Sequence, residues 1–462
     1  MAKKPIRFNA FAMNTVGHQS PGLWTHPRDE STRYTDIDHW IALATLLERG
    51  LFDGVFIADV LGVYDVYRGS PDAALRHAVQ VPVNDPLLIV PAMAAATRHL
   101  GFGVTFSLTY EHPYPFARRM STLDHLTRGR VGWNIVTGYL DSAAKNLGMT
   151  KQIAHDARYD LADEYLDVVY KLWEHSWEDG AVRRDKASGV FTDPSRVHPI
   201  GHRGLHFDVP GIHLCEPSPQ RTPVLYQAGA SARGLTFAGT HAECVFISAP
   251  TQAVLARAVD GIRNAVAQAG RDPHDVLIYA QALVVTDRTE ALAHAKFDDY
   301  RSHVDVEAAL ALLSGWTGID FSGYAPGAKI EYLENDAGRT ALASFSKADP
   351  DRSWTVREAA QFVGLGGRGP VLVGDPGQVA DGLESWVDHT GIDGFNLTYA
   401  VQPETFVDVV DRIVPVLQSR GRYRDAYPDG TLRAKLFGRG DRLPRTHVAK
   451  RTGIQVPTPL AA

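Results

Sequence analysis

Only two cysteines, Cys215 and Cys244, occur in 462 residues. That excludes a disulfide framework or a cysteine metal cluster and suits a reducing cytosol, so both are expected to be buried thiols. Long apolar runs are also missing. The longest near-apolar run, Pro86 to Ala96, is too short to cross a bilayer. The start, MAKKPIRFNAF, lacks the continuous apolar stretch and small-residue cleavage site of a signal peptide. The expected setting is the cytoplasm, with no membrane. Charge of one sign is not in excess, the net value being -6, which disfavours nucleic acid as a partner and favours a small ligand. HExxH, internal repeats and low-complexity segments are absent. His18, His26, His112, His125, His155 and His241 show no metal-ligand spacing, so no metal is expected.

Eight short apolar runs are present: RFNAFAM, DGVFIAD, GFGVTFS, VGWNIV, PVLYQAG, AECVFIS, VLIYAQALVV and GFNLTYA. Helical periodicity separates most of them, over Asp36 to Arg49, Leu87 to Ala96, Phe116 to Thr127, Arg158 to Trp173, Arg233 to Gly239, Thr251 to Ala269 and Pro376 to His389. Eight strands alternating with helices predict an α/β fold, a single (β/α)8 TIM barrel spanning 1–462. A simple barrel needs only about 250 residues. The surplus falls in insertions at about 176–221 and 288–363 and in a C-terminal tail at about 403–462. From Arg420 to Arg451 ten Lys or Arg face three Asp, a basic stretch expected to strap across an acidic barrel or a partner subunit.

Barrel enzymes work at the C-terminal ends of their strands. There the sequence offers Asn14, Thr15 and His18, then Asp59, Thr105 and Ser107, then Asn134, Thr137, Gly138 and Tyr139, and later Gln227, Ser248, Gln281 and Asn396. No predicted strand holds a lysine, which argues against Schiff-base chemistry. Asp59 is the one acid, too few for a magnesium site. A mouth of hydroxyls, amides and aromatics suits an uncharged, flat, hydrogen-bonding cofactor whose own chemistry does the work. Gly364, Gly366 and Gly369 spell GxGxxG, but they precede the strand-like PVLVG and lack the strand-to-helix context of a dinucleotide fingerprint. AGASARG, Ala228 to Gly234, follows a strand and opens a helix. It reads either as a phosphate cradle, with Gly229, Ala230 and Ser231 at its centre, or as a tight turn without ligand.

The blocks NAFAMNTVGHQSPGLWTHP, LERGLFDGVFIADVLGVYDVYRG, RRMSTLDHLTRGRVGWNIVT, AHDARYDLADEYLDVVYKLWEHSW, CEPSPQRTPVLYQAGAS and GIDGFNL span nearly the whole chain. Together they resemble luciferase-like flavin-dependent monooxygenases, in the branch of nitrilotriacetate, dibenzothiophene-sulfone, dimethyl-sulfide and long-chain alkane monooxygenases. The resemblance implies FMN as cofactor, used as FMNH2 from a separate NAD(P)H:flavin reductase, O2 as co-substrate, and a homodimer or homotetramer. It puts Asp59 and Thr105 beside the flavin ring, His155 and Tyr159 on the phosphate side, and Ala230 and Ser231 at the phosphate. His18 and Tyr139 are candidates for the general acid, with Tyr64 and Gln80 lining the same pocket and the 288–363 insertion as its lid. Thr15, Tyr139, Ala309 and Leu312 depart from the alkane-branch pattern, which has Cys and His at the first two positions. A small apolar substrate such as dimethyl sulfide is therefore expected first, and a long-chain alkane second. A deazaflavin or flavin hydride-transfer enzyme and a non-enzymatic flavin-binding protein are the rival readings.

Overall fold

The computed structural model describes residues 3–229, 231–331, 342–343, 345–346 and 353–451. Eight strands close into a ring: β1 (Arg7–Met13), β2 (Gly54–Ala58), β3 (Gly101–Ser107), β4 (Val131–Val136), β5 (Val224–Gln227), β6 (Cys244–Ile247), β7 (Leu277–Thr286) and β8 (Gly394–Thr398). Each runs parallel to its neighbours, and β8 pairs with β1, Phe8 opposite Phe395, to complete the TIM barrel. All eight coincide with the predicted runs. A ninth strand, Val371–Gly374, was not among them. It pairs with Leu283 to Thr286, the end of β7 that projects beyond the ring, so the ten residues of one strand serve three partners: β6, β8 and the ninth strand.

The helices include α1 (Ile37–Arg49), α2 (Val90–Ala96), α3 (Pro113–Leu126), α4 (His155–Tyr170), α5 (Ala232–His241), α6 (Gln252–Gln268), α7 (Val306–Thr317), α8 (Val356–Val363), α9 (Pro376–Thr390) and α10 (Leu432–Phe437). Two starts lie earlier than periodicity predicts. Pro113 supplies a preset first turn behind a His112 cap, and His155 itself opens α4. α9 carries a capping box at Asp375 and stops at Gly391, whose φ of 75° a side chain would resist.

Period-two alternation sorts each strand. Val55 and Ile57 face outward into the layer beneath the helices, while Phe56 points inward against Tyr226 and Phe246. Each such side chain contributes about 1.5–3 kcal/mol on burial. The same alternation turns Asn134 inward while Trp133 joins the outer layer, and does likewise for Asn396 beside Phe395.

The tail closes the floor of the barrel. α10 inserts Leu432 and Leu436 among Phe56, Tyr226 and Tyr279, so close that a Cβ on Gly101 would lie 2.5 Å from Leu432. Its basic residues meet acids of the barrel: Arg424 with Asp53, Arg433 with Glu243 at 2.7 Å, Arg442 with Asp179 at 2.8 Å, and Lys450 with Glu174. The strap thus lies on this chain's own barrel. Of the two thiols, Cys244 is buried but Cys215 is only half-buried, because it sits in the loop crossing α3 and not in a strand. Among the described residues no helix is long and apolar enough to cross a membrane.

Candidate active site

The C-terminal strand ends surround a cavity of about 600 Å³, within the usual small-ligand range of about 300–1,000 Å³. Phe11, Phe56 and Phe246 form its apolar floor. Asp59, Thr105, Asn134, Ser231, Ser248, Gln281 and Asn396 supply polar groups from seven of the strand ends, and His18, Gln80 and Tyr139 come from the loops above.

Two hydrogen-bond chains order this wall. Ser248 Oγ donates to Gln281 Oε1 at 2.5 Å, and Gln281 Nε2 donates to Gln19 Oε1 at 3.1 Å. Gln19 is left to donate through Nε2 to His18 Nε2, at 3.2 Å. The imidazole proton is thereby assigned to Nδ1, an atom without a partner among the described residues. In the second chain Tyr64 donates to Gln80 Oε1 at 2.9 Å, which makes Tyr139 the donor to Tyr64 across 2.6 Å. Gln80 Nε2 in turn donates to the His18 carbonyl at 3.0 Å.

Burial sets the titration of these groups. Out of water, the His18 ring is driven down to about 3, with only a weak opposing pull from the Phe11 carbonyl. Burial raises Tyr139 to about 12. Neither therefore titrates near neutrality: His18 stays neutral and Tyr139 keeps its proton. Asp59 behaves differently. Burial, reinforced by the Asp85 carboxylate, raises it to about 7, so it is poised to hold or release a proton at physiological pH.

At the other end of the cavity β5 turns into α5. Ser231 caps that helix by accepting from Gly234 N at 3.0 Å. The Tyr159 hydroxyl lies beside it: a Cβ on Gly234 would stand 2.9 Å from Tyr159 Oη and 3.0 Å from Ser231 Oγ. A Cβ on Gly229 would meet Gln227 Nε2 at 2.3 Å and Tyr159 Oη at 2.8 Å. The turn is built for small residues, with hydroxyls and free helix N–H groups converging, a donor set that fits a phosphate. Burial holds the Tyr159 phenol protonated. Around the ring end, Asn134 Oδ1, Asn396 Oδ1 and His18 Nδ1 are buried without partners among the described residues, and such orphaned atoms fit the edge of a hydrogen-bonding heterocycle.

The sequence-derived residues therefore divide. His18, Asp59, Gln80, Thr105, Asn134, Tyr139 and Ser231 share one cavity. Tyr64 stands one layer behind, and Gly138 borders a small adjoining pocket between Asp59 and Tyr110. His155, Tyr159 and Gly229 lie behind the α5 turn, His155 bonded to Asp156 at 2.6 Å and 5.4 Å from the Tyr159 ring. Thr137 does not line the cavity; its carbonyl accepts from Thr109 at 2.7 Å. Ala230 lies outside the described residues. Sequence reasoning missed Trp316 and Arg368, which reach the cavity from α7 and from the Gly364–Gly369 loop. Their only signal was that both segments belong to no barrel unit. It also missed the convergence of His26, Asp299 and His303 on the outside of the barrel. There His26 bonds Asp299 at 3.0 Å and Arg28 shares the same carboxylate, an ion-paired cluster that no spacing reveals.

A closed parallel barrel whose mouth holds a polar cavity, with an anion-suited turn at one side, is the architecture of a TIM-barrel enzyme. Comparison specifies which. The luciferase-like monooxygenase family model matches residues 11–394, and the chain belongs to that family. It is 54% identical to the dimethyl-sulfide monooxygenase of Hyphomicrobium sulfonivorans over 97% of this chain and 93% of that one. It is 51% identical to the long-chain alkane monooxygenase of Geobacillus thermodenitrificans, over 97% and 98%. The crystal structure of riboflavin lyase with modified FMN and riboflavin superposes with a TM-score of 0.91 at 35% identity, covering 98% of this chain and all of that one. The chain is thus an oxidoreductase of the monooxygenase type.

Proposed function

We propose that this protein is a two-component monooxygenase. It takes FMNH2 from a separate NAD(P)H:flavin reductase and uses O2 to oxygenate a small organic substrate, first of all a dialkyl sulfide such as dimethyl sulfide. One observation carries the reading: a single cavity joins unpartnered amide and imidazole atoms at one end to a hydroxyl-lined helix N-terminus at the other, in a chain so similar to dimethyl-sulfide monooxygenase.

Asp59, Thr105 and Asn134 would hold the flavin ring, and Ser231, Tyr159 and the first turn of α5 its phosphate, with Gly229 and Ala230 leaving room for it. When bound, reduced FMN supplies the electrons that activate dioxygen. The chain's own residues do the rest. Phe11, Phe56 and Phe246 keep water off the floor, and α7 covers the mouth through Trp316. Asp59, poised near neutrality, holds the proton that the reaction moves, while neutral His18 donates a hydrogen bond through Nδ1. Tyr139 and Tyr64 shape the substrate end.

Thr15, Tyr139, Ala309 and Leu312 depart from the alkane-branch pattern, so the alkane reading comes second. Oxygen uptake decides among the readings. With FMN, NADH and a generic flavin reductase, dialkyl sulfides should raise uptake above the substrate-free rate and acquire one atom of labelled oxygen. Oxygen-independent turnover would establish hydride transfer instead. Flavin binding with no turnover on sulfides, alkanes or amines would leave a flavin-binding protein.

A further inference from the structure

Arg368 is the one cation on the cavity wall among the described residues. The other interior arginines are saturated. Arg130 donates to the carbonyls of Thr127, Leu100, Ala94 and Thr97, and Arg433 forks onto Glu243. Arg368 forms no ion pair or hydrogen bond with any described residue; its guanidinium lies over the Trp316 ring at 5.2 Å. Asp59, the one acid on that wall, has Asp85 as its charged neighbour and not Arg368.

The position is built and does not float. Gly366 N donates to Ser20 Oγ at 3.1 Å, and the Gly366 carbonyl accepts from Gln281 Nε2 at 2.8 Å. A Cβ on Gly367 would strike Gln19 Oε1 at 2.1 Å, and one on Gly369 the Gln281 carbonyl at 2.2 Å. Glycines on both sides thus let the loop press against the barrel mouth and hold the Arg368 backbone there. Burial depresses its affinity for its own proton, against an opposing pull from the phenols of Tyr139 and Tyr64. A guanidinium drawn partly out of water onto an aromatic face, with no described residue bonded to its donors, has the chemistry of a fork awaiting two oxygens.

We infer that Arg368 anchors an oxyanion of the substrate, so that this site takes a thioether carrying a carboxylate, sulfinate or sulfonate in preference to an uncharged dialkyl sulfide. The inference rests on the monooxygenase reading above and narrows it: the anionic end lies against the Arg368 guanidinium, and the sulfur extends toward the ring end of the cavity.

Calorimetric titration of the full-length, FMN-saturated protein tests it with two probes of similar size, methylthioacetate and ethyl methyl sulfide. Methylthioacetate should bind about tenfold or more tightly, the scale of a charge-assisted hydrogen bond. Arg368→Gln should abolish that preference, and Arg368→Lys should keep part of it while showing that the loop still folds. Equal or absent binding of the two probes by the wild type, or a preference that survives Arg368→Gln, overturns the inference. So does a tenfold loss of FMN affinity in Arg368→Gln, which would assign the guanidinium to the cofactor. Binding needs no turnover. A protein that prefers the anion but consumes no oxygen refutes the monooxygenase reading alone.

Discussion

Replacing Asp59 with Asn should remove the pH dependence of stability at this site. In the fold the carboxyl titrates at about 7, against 3.8 for the ordinary group. An acid that binds its proton more tightly when folded stabilises the fold at low pH. That stabilisation is fully present below 3.8, shrinks as pH rises through the interval, and is gone above about 7. At 1.36 kcal/mol per pH unit the interval corresponds to about 4 kcal/mol, an upper bound. Asp59 is partly open to the cavity, and water there screens it, so about 2 kcal/mol is expected. The neutral amide of Asn has no such dependence. In urea unfolding from pH 4.5 to 8.5, the variant should match the wild type near pH 4.5 and exceed it by about 2 kcal/mol at pH 8.5. Taking the difference at each pH removes the contribution of every other titrating group. A difference that stays flat, or that favours the wild type at high pH, refutes the argument that burial and Asp85 govern this carboxyl.

The ring of His18, held near 3, works in the opposite direction: a buried base that resists its proton loses stability as pH falls below 6.5. His18→Gln should therefore lose less stability than the wild type between pH 6.5 and 4 in the same titration, and an equal loss would mean the ring is solvated. Gly229→Ala forces a methyl toward Gln227 and Tyr159, an overpacking cost of about 1–3 kcal/mol. It should weaken FMN binding, measured by flavin fluorescence quenching, while the far-ultraviolet circular dichroism stays unchanged; undiminished affinity would remove the α5 turn from the phosphate site. Arg433→Met strands the buried Glu243 carboxylate beneath the barrel and should cost about 3–5 kcal/mol in urea unfolding. Adding Glu243→Gln should recover part of that loss, and a single-variant loss below about 1 kcal/mol would show that the strap does not hold the floor.

Much of the barrel was legible because its signals are local. RFNAFAM, GFGVTFS and VGWNIV are bounded as runs in the sequence just as they are as strands, since apolar length and flanking breakers specify both. The strand mouths followed, because a residue near the end of a barrel strand belongs to the mouth whatever the loops do. Val371–Gly374 was harder: the run PVLVG is visible, but its partner is the overhang of β7, which only the assembled ring exposes. Thr137 shows the limit within a strand end. Its place after β4 is right, yet the chain turns there and gives the cavity Tyr139 instead.

What the sequence determined alone is the architecture and the neutral character of the mouth, since periodicity and residue type do not depend on distant contacts. The tertiary structure decided which mouth groups titrate and which cation enters. Desolvation drives His18 and Asp59 in opposite directions only once the surrounding layers exclude water, and Arg368 reaches the cavity only because a glycine loop far along the chain packs against Gln19 and Gln281. These are effects of burial and proximity between residues hundreds of positions apart, and no local pattern encodes them.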